Sequence, residues 1–489
     1  MSLRALLPLF LVSTVHAQYT SDPAVNLSVA DGAGDQVQAK VAAGPSGDVY
    51  VSWFDAIANG FDVRLQRLDA TGNEVWAHNG ILVRDRGFSS TQDYGLAVDA
   101  FGFALVAYRD DSGTGTQISV SRVSPTGTIV YTETVTATTD FVAAPKVTGT
   151  SDGSAVVAWT QNADVRLQKL GGNGATLWGP TGVTLSPAGG GYSVSDLRAA
   201  GTGVILSFVL QTGGFGSPRN LLAQKFDGNG ALLWGAGHVA VFDGGSLQFG
   251  NFPEMVADGS GGAVFAWYGV SPLQVRVQRV LANGTEAFAH DGLEASTDGT
   301  RVRVSPSASF DPTTSEITVA WVEQNALQSQ AGLWAQRFDA AGARLWGSEG
   351  SELRPLSSDE LGLVRALRLS TGSFLFWGES PGFGQDVLFG GRLDGTGAFS
   401  VGPFDLASTP SDKARLAGAV TSQDMAVLAW GDERVDAGDI LAQNVNGDGT
   451  LGFVAAPVPL GPWSGVVTAT LLLGLGARRL RRGFSAPPE

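Results

Sequence analysis

The sequence contains no cysteine and few histidines. Without cysteine the chain can form neither disulfides nor thiolate metal sites, and it has no thiol nucleophile. Its four histidines are scattered, so the spacing typical of a transition-metal site is missing. Nucleophile elbows, phosphate-binding loops and paired-carboxylate motifs do not stand out either. We therefore predict no catalytic residue, no cofactor and no metal ligand.

Basic residues are also scarce, and this shortage excludes a class of partner. Lys and Arg number 31 against 46 Asp and Glu, which gives a net charge of -15 at pH 7. An acidic surface repels phosphate backbones, so nucleic acid is not expected to bind. Long amphipathic helices are hardly visible, whereas 67 glycines suit tight turns that need positive φ. The composition favours a turn-rich all-β protein.

The first apolar run lies at the amino terminus. Residues 1–17 combine one arginine, an apolar run and small or apolar residues at the end, which is the order of a secretory signal peptide. Cleavage is expected between Ala17 and Gln18. A short anchor helix is the alternative, but the run is too short to span a bilayer.

The second apolar run lies near the carboxyl terminus and begins at Trp463. Residues 463–477 are followed at once by Arg478, Arg479, Arg481 and Arg482. A helix over this run is a marginal membrane anchor, and the positive-inside rule keeps its arginines in the cytoplasm and the body outside. We predict a signal peptide at 1–17, a repetitive body at 18–456 and a tail at 457–489.

The tail carries a motif with Pro459, Pro462 and Trp463 ahead of its apolar run. A proline-containing motif, a short apolar helix and a terminal arginine cluster resemble the sorting tails of the PEP-CTERM class. The resemblance implies processing by an exosortase-type protease of a Gram-negative bacterium. It also implies a cell-surface or extracellular location with at least transient membrane anchoring. A plain tail anchor is the alternative.

One unit of about 54 residues recurs eight times between the two ends. Each copy pairs an apolar segment that ends in an aromatic residue with a segment such as VRLQRLD, a glycine turn and a second aromatic residue. The first aromatic residue is Trp53, Tyr108, Trp159, Phe208, Trp267, Trp321, Trp377 or Trp430. The second is Trp76, Tyr131, Trp178, Trp234, Phe288, Trp346, Phe399 or Phe453.

Each copy divides into four short extended pieces, which in the fifth copy are FPEMVAD, AVFAW, VRVQRV and TEAF. Four short strands at such a period are typical of a propeller blade. The sequence predicts an eight-bladed β-propeller of four-stranded antiparallel blades, or seven blades if one degenerate copy is not a blade. Residues 24–28 resemble the piece that follows the second aromatic residue, so we expect them to close the ring in the last blade.

Several copies also resemble a known group of degenerate repeats. The segments DGSGGAVFAW at 258–267, WGDER at 430–434 and DILAQ at 439–443 resemble repeats of bacterial exported propeller proteins. The resemblance spans residues 24–453. It implies a propeller but no fixed activity, because this fold hosts enzymes, receptors and scaffolds alike.

Three sets of polar residues have a recurring position. His78 and His290 occupy the same place in copies one and five, and His238 also follows its copy's second aromatic residue, which indicates turn residues. Residues 444–450 resemble the start of a calcium loop, although an ordinary hairpin turn of the repeat is the alternative. A glutamine in the third strand predicts a buried hydrogen-bonding strut, at Gln66, Gln168, Gln224, Gln278, Gln336 and Gln443.

Acidic residues follow the second strand in several copies. Equivalent loops lie on one face of a propeller, where carboxylates would bind cations or cationic partners. Solvated loop charge is the alternative. The residues are Asp55, Asp110, Asp111, Glu323, Glu379, Asp432 and Glu433.

Two functions follow from this pattern. The first is a non-enzymatic exported module that binds protein, glycan or matrix through one face of the ring. The second is a hydrolase or lyase that acts on extracellular polysaccharide. The sequence favours the first, because the differences between copies show no cluster of titratable residues outside the repeat pattern. An axial pocket lined by several carboxylates, with Arg or Tyr among them, would favour the second.

Overall fold

The computed structural model describes residues 18–58, 60–87, 90–111 and 115–453. Gln18 is therefore the first described residue, and Ala17 lies outside this part of the chain. The predicted tail, with Pro459, Pro462, Trp463 and the four arginines, lies outside it as well. Over the described ranges the chain forms β-strands and no helix, so no helix there is long and apolar enough to cross a membrane.

Eight antiparallel sheets of four strands each form the blades of a propeller. The strand β1 (Leu27–Ala30) belongs to the last blade. Blade one is β2 (Gln36–Ala43), β3 (Val49–Ile57), β4 (Gly60–Leu68) and β5 (Ile81–Arg84). Blade two is β6 (Gly95–Val98), β7 (Ala104–Asp110), β8 (Thr116–Val123) and β9 (Ile129–Thr138). Blade three is β10 (Val142–Gly149), β11 (Ala155–Gln161), β12 (Asp164–Leu170) and β13 (Val183–Leu185). Blade four is β14 (Gly191–Ala200), β15 (Gly203–Gln211), β16 (Arg219–Phe226) and β17 (Val239–Phe242).

The second half of the ring repeats this order. Blade five is β18 (Met255–Ala257), β19 (Ala263–Tyr268), β20 (Val275–Val280) and β21 (Leu293–Glu294). Blade six is β22 (Val302–Asp311), β23 (Glu316–Gln324), β24 (Ala331–Phe338) and β25 (Ser351–Ser357). Blade seven is β26 (Glu360–Leu369), β27 (Gly372–Ser380), β28 (Asp386–Leu393) and β29 (Phe399–Ser411). Blade eight is β30 (Lys413–Val420), β31 (Ala426–Asp432), β32 (Asp439–Val445) and β1. The predicted eight-bladed fold is confirmed.

The apolar core is divided among the wedges between blades. The second strand of each blade is apolar on both faces because each face packs on a neighbouring blade. It carries the first aromatic residue of the repeat, which we call the marker and which is buried in every blade. Trp267, for example, lies in a cluster with Ile205 and Leu221 of blade four. Trp53 lies in a cluster with Val427 of blade eight. Stability therefore depends on an unbroken circle of blade contacts.

The chain closes this circle by combining its two ends in blade eight. Strand β1 pairs antiparallel with β32, and Leu27 faces Ala442. The predicted closing segment at residues 24–28 is thus confirmed, although the strand begins at Leu27 and ends at Ala30. Pairing removes the open edge that β32 would otherwise present.

The second aromatic residue of most blades locks that blade to the next one. The Trp178 indole packs on Gly230, and its N–H donates to the Gly228 carbonyl at 3.0 Å. Gly230 has a φ of 85°, a conformation that favours glycine, and a side chain there would meet the indole. The same contact joins Trp76 to Gly127, Trp234 to Gly284 and Trp346 to Gly397.

This contact between the second aromatic residue and the next blade is not made in all eight blades. Phe453 is 47% exposed, and the position expected for it is taken by Tyr19, whose buried ring packs on Gly72 of blade one. Phe399 instead stacks on Trp377 within its own blade, at a centroid distance of 5.6 Å. The contact with the next blade is missing at these two positions, because β29 is irregular and because the amino-terminal segment completes blade eight.

The recurring glutamines are the struts that the sequence predicts. Gln336 donates to the Gly347 carbonyl at 2.8 Å and accepts from the Trp346 backbone N–H at 3.0 Å. Its side chain is buried and ties the third strand to the segment that carries the second aromatic residue. Gln66, Gln168, Gln224 and Gln278 make equivalent bonds. Gln443 instead donates to the Thr20 carbonyl, which again replaces the missing segment of blade eight.

Replacing Gln336 by Ala is expected to lower the free energy of unfolding by about 1–3 kcal/mol, because three backbone groups, the Gly347 carbonyl and the Arg337 and Trp346 N–H groups, lose a partner. Urea unfolding followed by tryptophan fluorescence measures the change. The matched control is Gln385→Ala in an exposed loop of blade seven, which should leave the midpoint unchanged. Equal midpoints for both variants would contradict the strut.

Candidate functional site

An axial channel runs between the innermost strands of the blades. These strands are β2, β6, β10, β14, β18, β22, β26 and β30. The cavity they enclose has a volume of about 670 Å³. Pockets that bind small ligands typically measure about 300–1,000 Å³, so the channel is large enough for a ligand.

Bulges in the innermost strands set the direction of the side chains in the channel. The pairing register shifts between Val37 and Lys40 in blade one, and similar shifts precede Lys146 and Arg365. A residue with positive φ lies in each bulge, namely Gln38, Ala144 and Leu363. Such bulges re-aim the side chains beside them. Lys40, Lys146 and Arg365 all line the cavity.

One carboxylate in the channel is shared by two lysines. The ammonium group of Lys40 lies 2.7 Å from Asp93, and that of Lys146 forms a second ion pair with the same carboxylate. Burial alone would raise the pKa of Asp93, but the two lysines outweigh burial and hold it well below its usual range. Burial and the charge of Lys146 lower the pKa of Lys40. Asp93 therefore stays ionised and neutralises only one of its two partners.

A second group of charges lies on blades four, five and seven. Arg365 lies 3.6 Å from Glu254, and Arg198 lies 2.9 Å from Asp196. The positive charge of Arg365 lowers the pKa of Glu254 to about 2, and Arg198, Lys146 and Lys40 add to this effect. The Glu254 side chain is 63% exposed within the channel, so it faces the open volume.

The balance of charge in the channel is positive. Five cationic residues line it, and three carboxylates oppose them. The cations are Lys40, Lys146, Arg198, Arg365 and Arg415, and the carboxylates are Asp93, Asp196 and Glu254. Within the described chain the Arg415 side chain makes no hydrogen bond or ion pair. The channel thus carries two excess positive charges in a chain whose net charge is -15.

Aromatic rings form one rim of the channel. Residues 243–254 are the longest connection between consecutive blades, and they place Phe249 and Phe252 in the channel lining. The Arg219 guanidinium lies 5.3 Å from the Phe249 ring centroid and 5.1 Å from that of Phe252. Phe215 adds a third ring, 5.2 Å from Phe249. We call Phe215, Phe249 and Phe252 the aromatic rim.

This channel corrects the sequence-based expectation that the copies hold no titratable cluster outside the repeat pattern. Lys40 precedes its marker Trp53 by 13 residues, and Lys146, Asp196, Glu254 and Arg365 lie at nearly the same offset in their copies. A comparison of that one position would have revealed charges where other copies have Gly95, Ser307 and Ala417. The rim has its own sequence signal, since the step from Phe208 to Trp267 is the longest between markers.

The acidic loop residues, in contrast, are structural. Glu379 accepts the indole N–H of Trp377 at 2.7 Å and pairs with Arg354 through both carboxylate oxygens. Glu323 and Asp432 accept from Trp321 and Trp430 in the same way. Asp55 pairs with Arg64 of its own blade, and Asp110 pairs with Arg84 of the preceding blade. Neither a cation-binding face nor solvated loop charge describes these five residues, because side chains of the protein already pair with their carboxylates.

The two remaining acidic residues differ from this set. Asp111 lies 3.7 Å from Arg109. Glu433 is exposed, and a partial loss of water contact together with the negative charge of Asp412 raises its pKa. Solvated loop charge describes Glu433 well.

The segment at 444–450 that resembles the start of a calcium loop is an ordinary hairpin turn of the repeat. Asp448 accepts from the backbone N–H and the hydroxyl of Thr450, as Asp394 does from Thr396 in blade seven. The Asn446 amide points its N–H donors at the Thr450 and Gly452 carbonyls. The turn alternative is therefore the correct interpretation.

His290 lies in a cluster that the sequence did not reveal. Its ligand atoms and those of Asp243 and Asp291 lie within 4.8 Å of one another. Asp243 directly follows the last strand of the preceding blade and lies 2.9 Å from the imidazole, while Glu286 lies 3.0 Å from the other ring nitrogen. Hydrogen bonds to these two carboxylates raise the pKa of His290 to about 9. His78 forms the same bridge to Asp31 and Glu74.

The raised pKa of His290 means that a metal would have to displace a proton from its imidazole, which opposes metal binding near neutral pH. We expect the melting temperature of the purified chain to be the same with and without EDTA. A metal bound only to the folded state would raise stability, and its removal would lower the melting temperature. Differential scanning calorimetry measures this, and a drop of several degrees in EDTA would contradict the prediction.

Comparisons with known proteins find only solved structures of low sequence identity. The chain matches no protein-family model and no curated protein. It is similar to the Dos1 propeller at 14% identity, with a TM-score of 0.47 over 84% of this chain and 93% of that one. It is similar to the polysaccharide lyase Uly1 at 12% identity, with a TM-score of 0.44 over 88% and 98%. It is similar to puromycin hydrolase at 15% identity, with a TM-score of 0.39 over 91% of this chain and 57% of that one.

Proposed function

We propose that the chain is an exported surface module that binds an extracellular ligand in its axial channel without cleaving it. The observation that carries this proposal is the channel itself. It combines a volume of about 670 Å³ with charged groups that depart from the repeat pattern. The glutamine struts, in contrast, follow the repeat and are tied up in hydrogen bonds within their own blades.

The ionisation of the channel carboxylates favours binding over hydrolysis. A glycoside hydrolase needs a carboxylic acid that keeps its proton near neutral pH. Glu254 has the opposite property, since Arg365 lowers its pKa to about 2. Asp93 is held ionised by Lys40 and Lys146. These carboxylates therefore act as fixed counterions that position the cations.

The location is part of the same proposal. Residues 1–17 direct export, and residues 457–489 hold the chain at the membrane until a sorting protease acts on the tail. The propeller then faces the exterior, where its ligand is a glycan or protein of the surroundings. We do not expect it to bind nucleic acid, because the chain is acidic.

The alternative is a hydrolase or lyase that acts on extracellular polysaccharide in the same channel. The observation that favours it is an axial pocket with three carboxylates, Arg365 and Tyr268 in its lining. Lys40 adds to this case, because burial and the charge of Lys146 lower its pKa, and a lysine needs a lowered pKa to act as a base.

One experiment separates the two functions. The full chain, purified in mild detergent, is incubated with a panel of extracellular polysaccharides, and bound polymer, new reducing ends and unsaturated sugar ends are measured. The binding function predicts retention of a polymer and no new ends. Accumulation of ends that is lost in Lys40→Gln but kept in Arg344→Gln would establish catalysis instead.

Location has its own test. The full chain is expected in the membrane fraction of its host, and a chain that stops after Phe453 in the medium or periplasm. Replacing Arg478, Arg479, Arg481 and Arg482 by Gln should weaken retention without changing the melting temperature. If the shortened chain does not fold, the tail belongs to the propeller and the boundary is wrong.

A further inference from the structure

We propose that the ligand of the channel is an acidic polysaccharide, whose carboxylates contact the channel cations and whose sugar rings stack on the aromatic rim. This inference rests on the proposed function, because it names the ligand class of the same site. Charge, free hydrogen-bonding capacity and apolar surface each support it.

The sign of the charge selects an anion. The channel is positive, with five cations against three carboxylates, whereas the chain as a whole has a net charge of -15. Protein walls around a charged cleft focus its field, so the potential in the channel acts on a ligand more strongly than the same charges on an open surface. A polyanion repelled by the rest of the surface therefore finds an attractive region in the channel.

The channel cations keep donors for a ligand carboxylate. Lys40 and Lys146 share Asp93, so one positive charge of this pair is not neutralised. Arg365 donates its Nε–H to the Leu416 carbonyl at 2.6 Å and contacts Glu254 only at 3.6 Å. A guanidinium can bind a carboxylate through two parallel N–H donors, which fixes the ligand in one orientation.

The aromatic rim indicates that the ligand has an apolar face as well as a negative charge. Phe249 is 65% exposed although Arg219 packs against its ring, so the ring is held in place with a free apolar face. Exposed apolar surface beside a cavity marks an interaction site. A sugar unit that carries a carboxylate offers both features at once, because its ring has an apolar face and its substituent a negative charge. A polymer repeats this pair of features along its length.

The test measures binding of polygalacturonate oligomers to the full chain by isothermal titration calorimetry at low salt. We expect the double variant Lys40→Gln, Arg365→Gln to weaken the affinity by roughly tenfold or more, since two charge contacts are lost. Arg344→Gln, which removes a charge at the outer wall, should not change it. Added NaCl should weaken the wild-type affinity, because it screens the charges.

Two further variants separate the roles of charge and stacking. Arg415→Gln removes a cation that has no partner within the described chain, so it should weaken binding while leaving the melting temperature unchanged. Phe249→Ala should weaken binding of the oligomer but not of free galacturonate. Phe383→Ala is the matched control, because Phe383 is 97% exposed in a loop outside the channel lining.

The outcomes distinguish this inference from the proposed function. If neutral dextran binds as tightly as polygalacturonate and the channel variants block it, the channel binds a ligand but the acidic class is wrong. Tighter binding of polyglutamate than of polygalacturonate would assign the site to an acidic protein and overturn the inference. If polygalacturonate binds and every channel variant binds equally well, the ligand does not occupy the channel, and both proposals fail.

Discussion

Deletion of residues 19–31 is expected to abolish the folded ring. This segment supplies β1, the fourth strand of blade eight, and Tyr19, which packs on blade one. Without it the edge of β32 is unpaired and the wedge between blades eight and one loses several buried side chains. An unpaired edge of this kind promotes aggregation. Size-exclusion chromatography and near-ultraviolet circular dichroism should show aggregated protein without fixed tertiary packing.

A point variant tests the same closure by removing one side chain and keeping strand β1. Tyr19→Ala is expected to lower the free energy of unfolding by about 3–5 kcal/mol, the range for loss of a large buried aromatic side chain. Val25→Ala in the same segment removes exposed apolar atoms and should change it by less than about 0.5 kcal/mol. Urea unfolding followed by tryptophan fluorescence compares the two. If both variants unfold at the same urea concentration as the wild type, blade eight does not depend on the amino-terminal segment.

Replacing Asp432 by Ala is expected to lower the free energy of unfolding by about 3–5 kcal/mol, because it leaves buried cations without their counterion. Asp432 is fully buried and accepts hydrogen bonds from the Trp430 indole at 2.9 Å, the Ser411 hydroxyl at 2.7 Å and Arg434 at 2.8 Å. The ammonium of Lys413, also buried, lies 3.4 Å away. Arg434 in turn contacts Asn26 at 3.1 Å, so this carboxylate also supports ring closure.

The pH dependence of the same site has a definite sign. Burial opposes ionisation of Asp432, but hydrogen bonds from Arg434, Trp430 and Ser411 outweigh it and lower the pKa to about 2. A carboxyl with a lowered pKa in the folded state stabilises the fold above its unfolded pKa, and this stability is lost as the pH falls towards about 2. Asp432→Asn should therefore lose most stability near neutral pH and little near pH 2.

The control for this site is Asp448→Asn in an exposed turn of the same blade. It removes the same charge and should change the free energy of unfolding by less than about 1 kcal/mol. Chemical unfolding at several pH values gives both quantities. If Asp432→Asn and Asp448→Asn are equally stable at neutral pH, Asp432 does not organise the buried network.

The fold was predictable because its physical causes repeat in the sequence. Each wedge between blades needs a large buried side chain at one place, so markers such as Trp53 and Trp267 recur with the blade period. The glutamine struts recur for the same reason, since each holds the same two strands together. Closure was predictable as well, because residues 24–28 had no blade of their own and resembled an outer strand.

The site was not predictable from the repeat, because it consists of departures from it. Lys40, Lys146 and Arg365 lie far apart in sequence, and only the ring brings them to a common axis. For the acidic loop residues the sequence suggested a site where the structure has none. Glu379 follows the repeat and looks exposed in sequence, yet it is held by Trp377 and Arg354. Tyr19 could not be foreseen, because it takes a place that the eighth copy lacks.

The most direct test of the account is a structure of the chain bound to a short galacturonate oligomer. We expect the oligomer to lie in the axial channel, with a carboxylate within hydrogen-bond distance of Lys40, Arg365 or Arg415 and a sugar ring stacked on Phe249. We also expect the oligomer to be intact. An oligomer bound on the outer wall of the blades, or a cleaved product in the channel, would contradict the account.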